Sequence, residues 1–285
     1  MSRDSAPVLI LGCGYTGRRL ARELLRHGAS VLATAREPEQ LDDLARLGAS
    51  VRRLDVLEPG TWTWLEDVAD GALVLHSIPV VGAGAGWVDR TAEILAPLAG
   101  QARRIAYLST TAVYGDARNV NATTTPAPRT EPDRLRLVAE SAVADGPWSW
   151  LILRPAAIYG PGRGVHHAMR KGSHRLAGDG ENIASRIHVD DLVQIAGAAL
   201  ESTLAGAFPV ADSQPCTARE MADFCAELLK LPTPPPSAAA GEAGTRSVDR
   251  RVDGSAICRA LGITLRYPSY RTGVPAALAA ESMEG

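Results

Sequence analysis

Residues 8–28 read VLILGCGYTGRRLARELLRHG: an apolar run, a glycine-rich turn and a helix-period segment in direct succession. No other stretch restricts the fold as strongly. Gly12, Gly14 and Gly17 stand in GxGxxG spacing, and each glycine has its own duty when such a turn receives a dinucleotide. The first makes the tight turn, the second lets a pyrophosphate approach the backbone, and the third lets the helix pack on the sheet. The phosphates then meet free N–H groups at the helix N-terminus, where Tyr15 and Thr16 lie. The strand before, the helix after and a βαβ unit of about 30 residues supply the context the motif requires. These residues are therefore expected to bind a cofactor.

The first half of the chain repeats that alternation. VLILG (8–12), SVLAT (30–34), SVRRL (50–54), ALVLH (72–76), RIAYLS (104–109) and WLILR (150–154) read as strands. Helical patterns lie near 15–27, 37–47, 87–98 and 131–144, the last opened by Thr130 as a cap with Pro132 in its first turn. Alternation of this kind gives an α/β fold: a Rossmann, doubly wound parallel sheet with a smaller C-terminal substrate region. The expected division is a dinucleotide-binding domain over 1–155, with 183–210 returning to it, and a substrate-binding region over 156–182 and 211–285. IYGPGRGVHHAMRKGSHRLAGDGEN reads as loops around a short helix, and LPTPPPSAAAGEAG (231–244) as a surface loop.

The second strand ends LATAREPEQ, about 20 residues past the glycines, where a cofactor with a free 2′-hydroxyl usually meets an acidic residue. Arg36 stands there instead, beside Thr34. A guanidinium can grip a 2′-phosphate with paired, charge-assisted bonds, which favours NADP over NAD. The alternative is a solvated surface arginine, in a chain whose 30 basic residues include only two lysines, Lys171 and Lys230.

GCGYTG at 12–17, LDV at 54–56, LSTTAVYGD at 108–116, LRPAAIYGPGRG at 153–164 and RIHVDDL at 186–192 together resemble the extended short-chain dehydrogenase/reductases, the NAD-dependent epimerase/dehydratase family. The resemblance implies that Asp55 contacts the adenine and that His76–Pro79, with Ser77 and Pro79, lines the cofactor. It also implies that Thr110 hydrogen-bonds the substrate at the reacting carbon. The family's acid/base pair is YxxxK on the helix that follows. Aligned on Glu140 within PDRLRLVAE (132–140), that pair falls on Pro132 and Arg136, and YxxxK occurs nowhere in the chain. Arg136 keeps the lysine's charge and its ribose contact, while proline has no proton to exchange. Tyr114 and Tyr159 each precede an arginine by four residues, but both lie before a glycine, outside a helical face. Tyr114 is a second candidate acid, though it is read first as a packing residue. These departures, with the C-terminal RRVDGSAICRALGITLRYPSY, resemble the atypical YeeZ-like branch of the family, which lacks the Tyr-Lys pair.

Other classes are narrowed. Thr111-Ala112 stands where sugar-nucleotide 4,6-dehydratases carry Asp-Glu. A formal charge of −2 provides no broad basic face for nucleic acid, and no apolar run is long enough for a membrane span. Scattered Cys13, Cys216, Cys225 and Cys258 read as reduced thiols of a cytoplasmic protein. Arg163, His166, His167, Arg170, Lys171, His174 and Arg175 form a run that either receives an anionic small-molecule substrate or is a solvated loop. The histidines lack partners at metal spacing, so no metal site is expected. Two functions remain: an NADP-dependent oxidoreductase or epimerase-like enzyme, and a non-catalytic NADP-binding sensor or partner-binding protein.

Overall fold

The apolar runs pair side by side because a strand covered on both faces has no polar side to show. In the computed structural model, which describes residues 6–237 and 249–284, seven strands form one sheet. They are β1 (Val8–Leu11), β2 (Val31–Ala35), β3 (Ser50–Arg53), β4 (Ala72–His76), β5 (Ala102–Leu108), β6 (Ser149–Pro155) and β7 (Ala207–Val210). Their order is β7-β6-β5-β4-β1-β2-β3, and the neighbours from β6 through to β3 run parallel. All residues of β1 and β4 are buried. From β1 the chain steps outward to β2 and β3, then crosses back to β4. The reversal leaves a crevice at the carboxyl ends of β1 and β4, where ligands bind in sheets of this kind.

Strands β1 to β5, and β6 as far as Arg154, belong to a unit made of Met1–Gly115, Pro128–Arg154 and Val193–Ala207. It also carries α1 (Tyr15–Arg26), α2 (Asp42–Arg46), α3 (Thr91–Leu95) and α4 (Glu131–Ala144). Leu9, Val74, Ile105 and Ile152 meet in one core cluster with Trp148 and Tyr107, each large side chain contributing roughly 1.5–3 kcal/mol by leaving water. The start of α4 follows its sequence signal: Thr130 accepts from the Asp133 amide, with Pro132 in the first turn. The helix expected over 87–98 is shorter. Gly86–Val88 pairs antiparallel with Val81–Ala83, and the Asp89 carboxylate accepts from the Thr91 amide at 2.9 Å, so helix begins only there. Over 37–47, a 3-10 turn at Pro38–Leu41 precedes α2, since proline sets the turn's first position.

The second unit comprises Asp116–Ala127, Pro155–Leu192 and Phe208–Gly285. Its helices are α5 (Val165–Arg170), the first residues of α6 (Val189–Glu201), α7 (Ala218–Leu229), α8 (Ser255–Leu261) and α9 (Tyr270–Glu284). A capping box of Thr217 and Glu220 starts α7. The unit's core joins Tyr159, Met169, Leu176, Met221, Cys225 and Tyr270. Two short strands, Ala157–Tyr159 and Arg186–His188, pair in parallel. Of the segment 231–244, residues 238–244 lie outside the described residues; before them Pro236–Ser237 pairs with Leu176–Ala177.

Candidate functional site

The glycine turn is pinned from both sides. The Gly12 amide donates to Thr34 Oγ1 at 2.9 Å, and the Ser77 hydroxyl donates to the Gly12 carbonyl at 2.7 Å. Gly12 has φ +76°, and a Cβ there would lie 2.8 Å from Ile78 Cγ1 and 3.0 Å from the Ile78 amide. No other residue fits. Gly14 is the opposite case: it is exposed, and its Cβ would meet only the Gly12 carbonyl, at 3.9 Å. Gly14 is also the N-cap of α1, and no side chain caps that helix end. Exposed backbone at an uncapped helix N-terminus is what a pyrophosphate requires. Gly17 lets α1 press on β1, since a Cβ would stand 3.0 Å from Ile10 Cγ2. Thr16 is buried beneath the turn, and Tyr15 lies under the Arg19 guanidinium, 3.9 Å away. Cys13 is no nucleophile, because burial pushes its thiol up to about 12.

Past β2, Arg36 is exposed, and its guanidinium has no partner among the described residues. Its carbonyl accepts from Arg53 Nε at 3.2 Å, while Arg53 pairs with Glu58 at 2.8 Å. The other arginines near this end are engaged: Arg18 and Arg22 both grip Asp43. Asp55 uses Oδ1 to accept from the Leu57 amide at 2.9 Å, which shapes the turn after β3. Ser77 is committed to the glycine turn, and Pro79 is exposed beyond it.

The residues expected to do chemistry divide into two groups. Thr110 ends the strand–turn junction after β5, and its Oγ1 accepts from the Ala112 amide at 3.1 Å. That leaves its hydroxyl hydrogen without an acceptor among the described residues. Tyr114, by contrast, is 1% exposed, and its hydroxyl accepts from Arg154 Nη1 at 3.0 Å. Arg154 lays its Nε–Nη2 edge on Glu140 at 3.0 and 2.5 Å, and the Ser109 hydroxyl donates to the same carboxylate at 2.5 Å. A buried charge pair of this kind persists only when its remaining donors and acceptors are filled. On α4, Pro132 sits in the first turn, and Arg136 Nη1 donates to Tyr107 Oη at 2.7 Å and to the Ile78 carbonyl at 3.1 Å. Burial raises the Tyr107 phenol well above the tyrosine range, although Arg136 opposes it. His76 Nε2 shares a 2.8 Å bond with Thr91 Oγ1. Burial, then the charge of Arg136, pushes His76 down to about 3, so it is neutral.

Sequence reasoning missed Tyr107, Ser109 and Arg154, and named His76 only as part of a cofactor-lining loop. The available signal was chemical: polar side chains inside runs otherwise apolar enough to be buried strands, each of which demands a partner. In the second unit the basic run divides. His166 is fully buried against Glu281 at 3.2 Å, and Arg170 reaches the same carboxylate at 2.6 Å. Tyr159 is buried too, with its hydroxyl donating to the Ser269 carbonyl at 3.3 Å. Among the described residues no cluster of His, Cys, Asp and Glu can hold a metal ion. No helix of the described residues is long and apolar enough to cross a membrane.

Comparison with known proteins gives the context. The model of the NAD dependent epimerase/dehydratase family matches residues 8–209. Protein YeeZ of Escherichia coli (strain K12) is 28% identical over 271 residues, covering 92% of this chain and 96% of that protein. The solved structure of a functionally unknown conserved protein from Silicibacter pomeroyi DSS is 32% identical, with a TM-score of 0.79 over 97% of this chain and 99% of its own. The Bordetella bronchiseptica enzyme WbmG in complex with NAD shares the fold at 19% identity, with a TM-score of 0.81 over 100% of this chain and 97% of its own. With the family model spanning the glycine turn, Thr110 and the helix α4, the chain belongs to the NAD-dependent epimerase/dehydratase family.

Proposed function

We propose that this chain is a nicotinamide-dinucleotide-dependent oxidoreductase or epimerase-like enzyme acting on a small, polar, anionic substrate. One observation carries the reading: the exposed Gly14 backbone at the uncapped N-terminus of α1, set where the strand order reverses. WbmG, which shares this fold, is described in complex with NAD. The 2′-phosphate preference is assigned to Arg36, whose guanidinium no protein group occupies among the described residues. The adenine is assigned to Asp55, and the substrate to residues 156–182 and 211–285.

When bound, the nicotinamide supplies or accepts hydride. The Thr110 hydroxyl donates its uncommitted hydrogen to the substrate oxygen while its own oxygen accepts from the Ala112 amide. Arg136 is assigned the ribose through Nε and Nη2, its Nη1 being anchored on Tyr107 and Ile78. The proton exchanged with the substrate comes from water or from the substrate itself. Position 132 has no hydroxyl, and Tyr114 is locked under Arg154. This same lack favours a second reading, a dinucleotide-binding sensor without turnover. Calorimetry with NADH and NADPH on wild type and Gly14→Val tests the site. The valine has room in the unliganded turn but blocks the approach of phosphate, so the expected result is a folded protein that has lost dinucleotide affinity. A folded Gly14→Val protein with unchanged affinity overturns the assignment. Wild type that binds dinucleotide and turns over no carbonyl substrate establishes the sensor reading.

A further inference from the structure

Arg104, Arg154, Arg186 and Arg250 are each more than nine-tenths buried. A guanidinium keeps its charge at any ordinary pH, so each buried N–H donor needs an acceptor. Arg104 has one for every nitrogen: the Ala199 carbonyl on Nε, Ser149 on Nη1, and Ser202 with the Leu204 carbonyl on Nη2. Arg154 fills its Nε–Nη2 edge with Glu140.

Arg186 differs. It opens the strand Arg186–His188 and is 7% exposed. Only Nη1 is engaged, on the Ala184 carbonyl at 2.8 Å and on Cys216 Sγ at 3.1 Å. Nε and Nη2 have neither a hydrogen-bond nor an ion-pair partner among the described residues. Neither is sealed away, for neither is among the buried polar atoms left without a partner. With Nη1 fixed, the plane is set and the Nε–Nη2 edge is presented as a rigid fork, the edge that Arg154 uses to grip a carboxylate. His174 is close by: burial lowers its pKa, and the charges of Arg186 and Arg175 lower it further. It is therefore neutral and adds no competing positive charge, and its buried Nε2 has no partner either. Asp212 feels Arg186 as well, but its carboxylate does not reach the fork, and its buried Oδ2 is unpartnered.

We propose that the Nε–Nη2 edge of Arg186 anchors an oxyanion, the carboxylate or phosphoryl group of the substrate. The inference rests on the reading of an anionic substrate given above and names the residue that receives it. It also relocates that role from the run 163–175, whose His166 and Arg170 are spent on Glu281.

The test uses the whole chain without cofactor. Thermal unfolding is followed in millimolar sulfate or acetate at an ionic strength held constant with sodium chloride, below the range where sulfate stabilises any protein by exclusion. A midpoint that rises with anion concentration is expected for wild type. Arg186→Gln should lose that rise, and Arg186→Lys, a point charge without the fork, should bind about tenfold or more weakly. Tighter sulfate assigns a phosphoryl group, and tighter acetate a carboxylate. An undiminished anion response in Arg186→Gln overturns the proposal. Since that variant also loses the Ala184 and Cys216 contacts and can fail to fold, wild-type crystals soaked in selenate give a second measurement. Anomalous density within hydrogen-bond distance of Nε and Nη2 supports the site, and selenate bound elsewhere only, or nowhere, overturns it. Protein that binds sulfate at Arg186 but no dinucleotide refutes the oxidoreductase reading and leaves this one intact; the converse refutes this one alone.

Discussion

Asp212 is 2% exposed, and its environment makes the ionised form expensive. Burial drives the carboxyl from 3.8 up to about 7, with Asp191 adding to the rise. A hydrogen bond from the Gln214 amide and the charge of Arg186 oppose it without prevailing. Tyr159 and Cys216 also face this carboxyl, and both stay neutral, each with its pKa raised chiefly by burial and further by Asp212. At 1.36 kcal/mol per unit, a shift from 3.8 to about 7 corresponds to about 4 kcal/mol against the folded state once the group is ionised. The sign follows from proton counting. Below 3.8 both folded and unfolded states hold the proton, and nothing is lost. Between there and about 7 only the folded state holds it, so stability falls by roughly 1.4 kcal/mol for each unit of rising pH. Above that the loss is complete and constant.

Asp212→Asn removes the titration. The amide also places N–H donors where Oδ2 has no partner, a cost of roughly 1–3 kcal/mol that does not vary with pH. The informative quantity is therefore the difference in unfolding free energy between wild type and variant as pH changes. Urea titrations at steps from about pH 5 to about pH 8 should show wild type losing about 3 kcal/mol relative to Asp212→Asn, then levelling off. A difference that stays flat across this range would show that Asp212 is already ionised at low pH and that its burial is fully compensated, which refutes the reasoning.

Arg36→Ala should weaken NADPH far more than NADH, by roughly 1.5–3 kcal/mol, the scale of a charge-assisted hydrogen bond; equal losses measured by calorimetry would show that Arg36 does not read the 2′-phosphate. Glu140→Gln leaves Arg154 buried without its counter-charge and should cost roughly 3–5 kcal/mol of stability; a urea midpoint within error of wild type would sink the claim. Thr110→Ala should remove most of any carbonyl reduction with cofactor affinity intact, whereas Tyr114→Phe should lose less than about tenfold, or 1.4 kcal/mol of transition-state energy; the reverse order in steady-state rates would make Tyr114 the acid.

Six of the seven strands were legible because their signals are local, while the edge strand Ala207–Val210 was not read. Strand runs, the glycine spacing and the cap at Thr130 each lie within a few neighbouring residues, and each appears where those residues place it. Trp87 and Val88 misled because an apolar pair before a helix resembles the helix's own face, and the turn into α3 is closed by the Asp89 carboxylate accepting from the Thr91 amide. The chemistry around Glu140 was less legible for a different reason. Arg154 and Ser109 come to that carboxylate from 14 and 31 positions away in sequence, and Tyr114 joins through Arg154 from 40 positions away, and no pattern of spacing encodes such a meeting. Arg186 is harder still, since its distinguishing property is an absent partner.

Residue 78 links the glycine turn to α4. Its side chain and amide press against the space a Cβ on Gly12 would occupy, and its carbonyl holds Arg136 at 3.1 Å. A lysine at position 136 would be a flexible point charge, free to reach a ribose or a tyrosine in turn. An arginine there can hold the Ile78 carbonyl and Tyr107 with one nitrogen and still present two others. That arrangement suits a helix with Pro132 in its first turn, where the family resemblance puts a tyrosine. With no phenol to activate on α4, the cation at 136 is more useful as a tie between that helix and the glycine turn. On the function proposed above, Pro132 and Arg136 together then serve one purpose: a position without a proton to exchange, beside a cation that ties α4 to Ile78 and Tyr107 and is assigned the ribose.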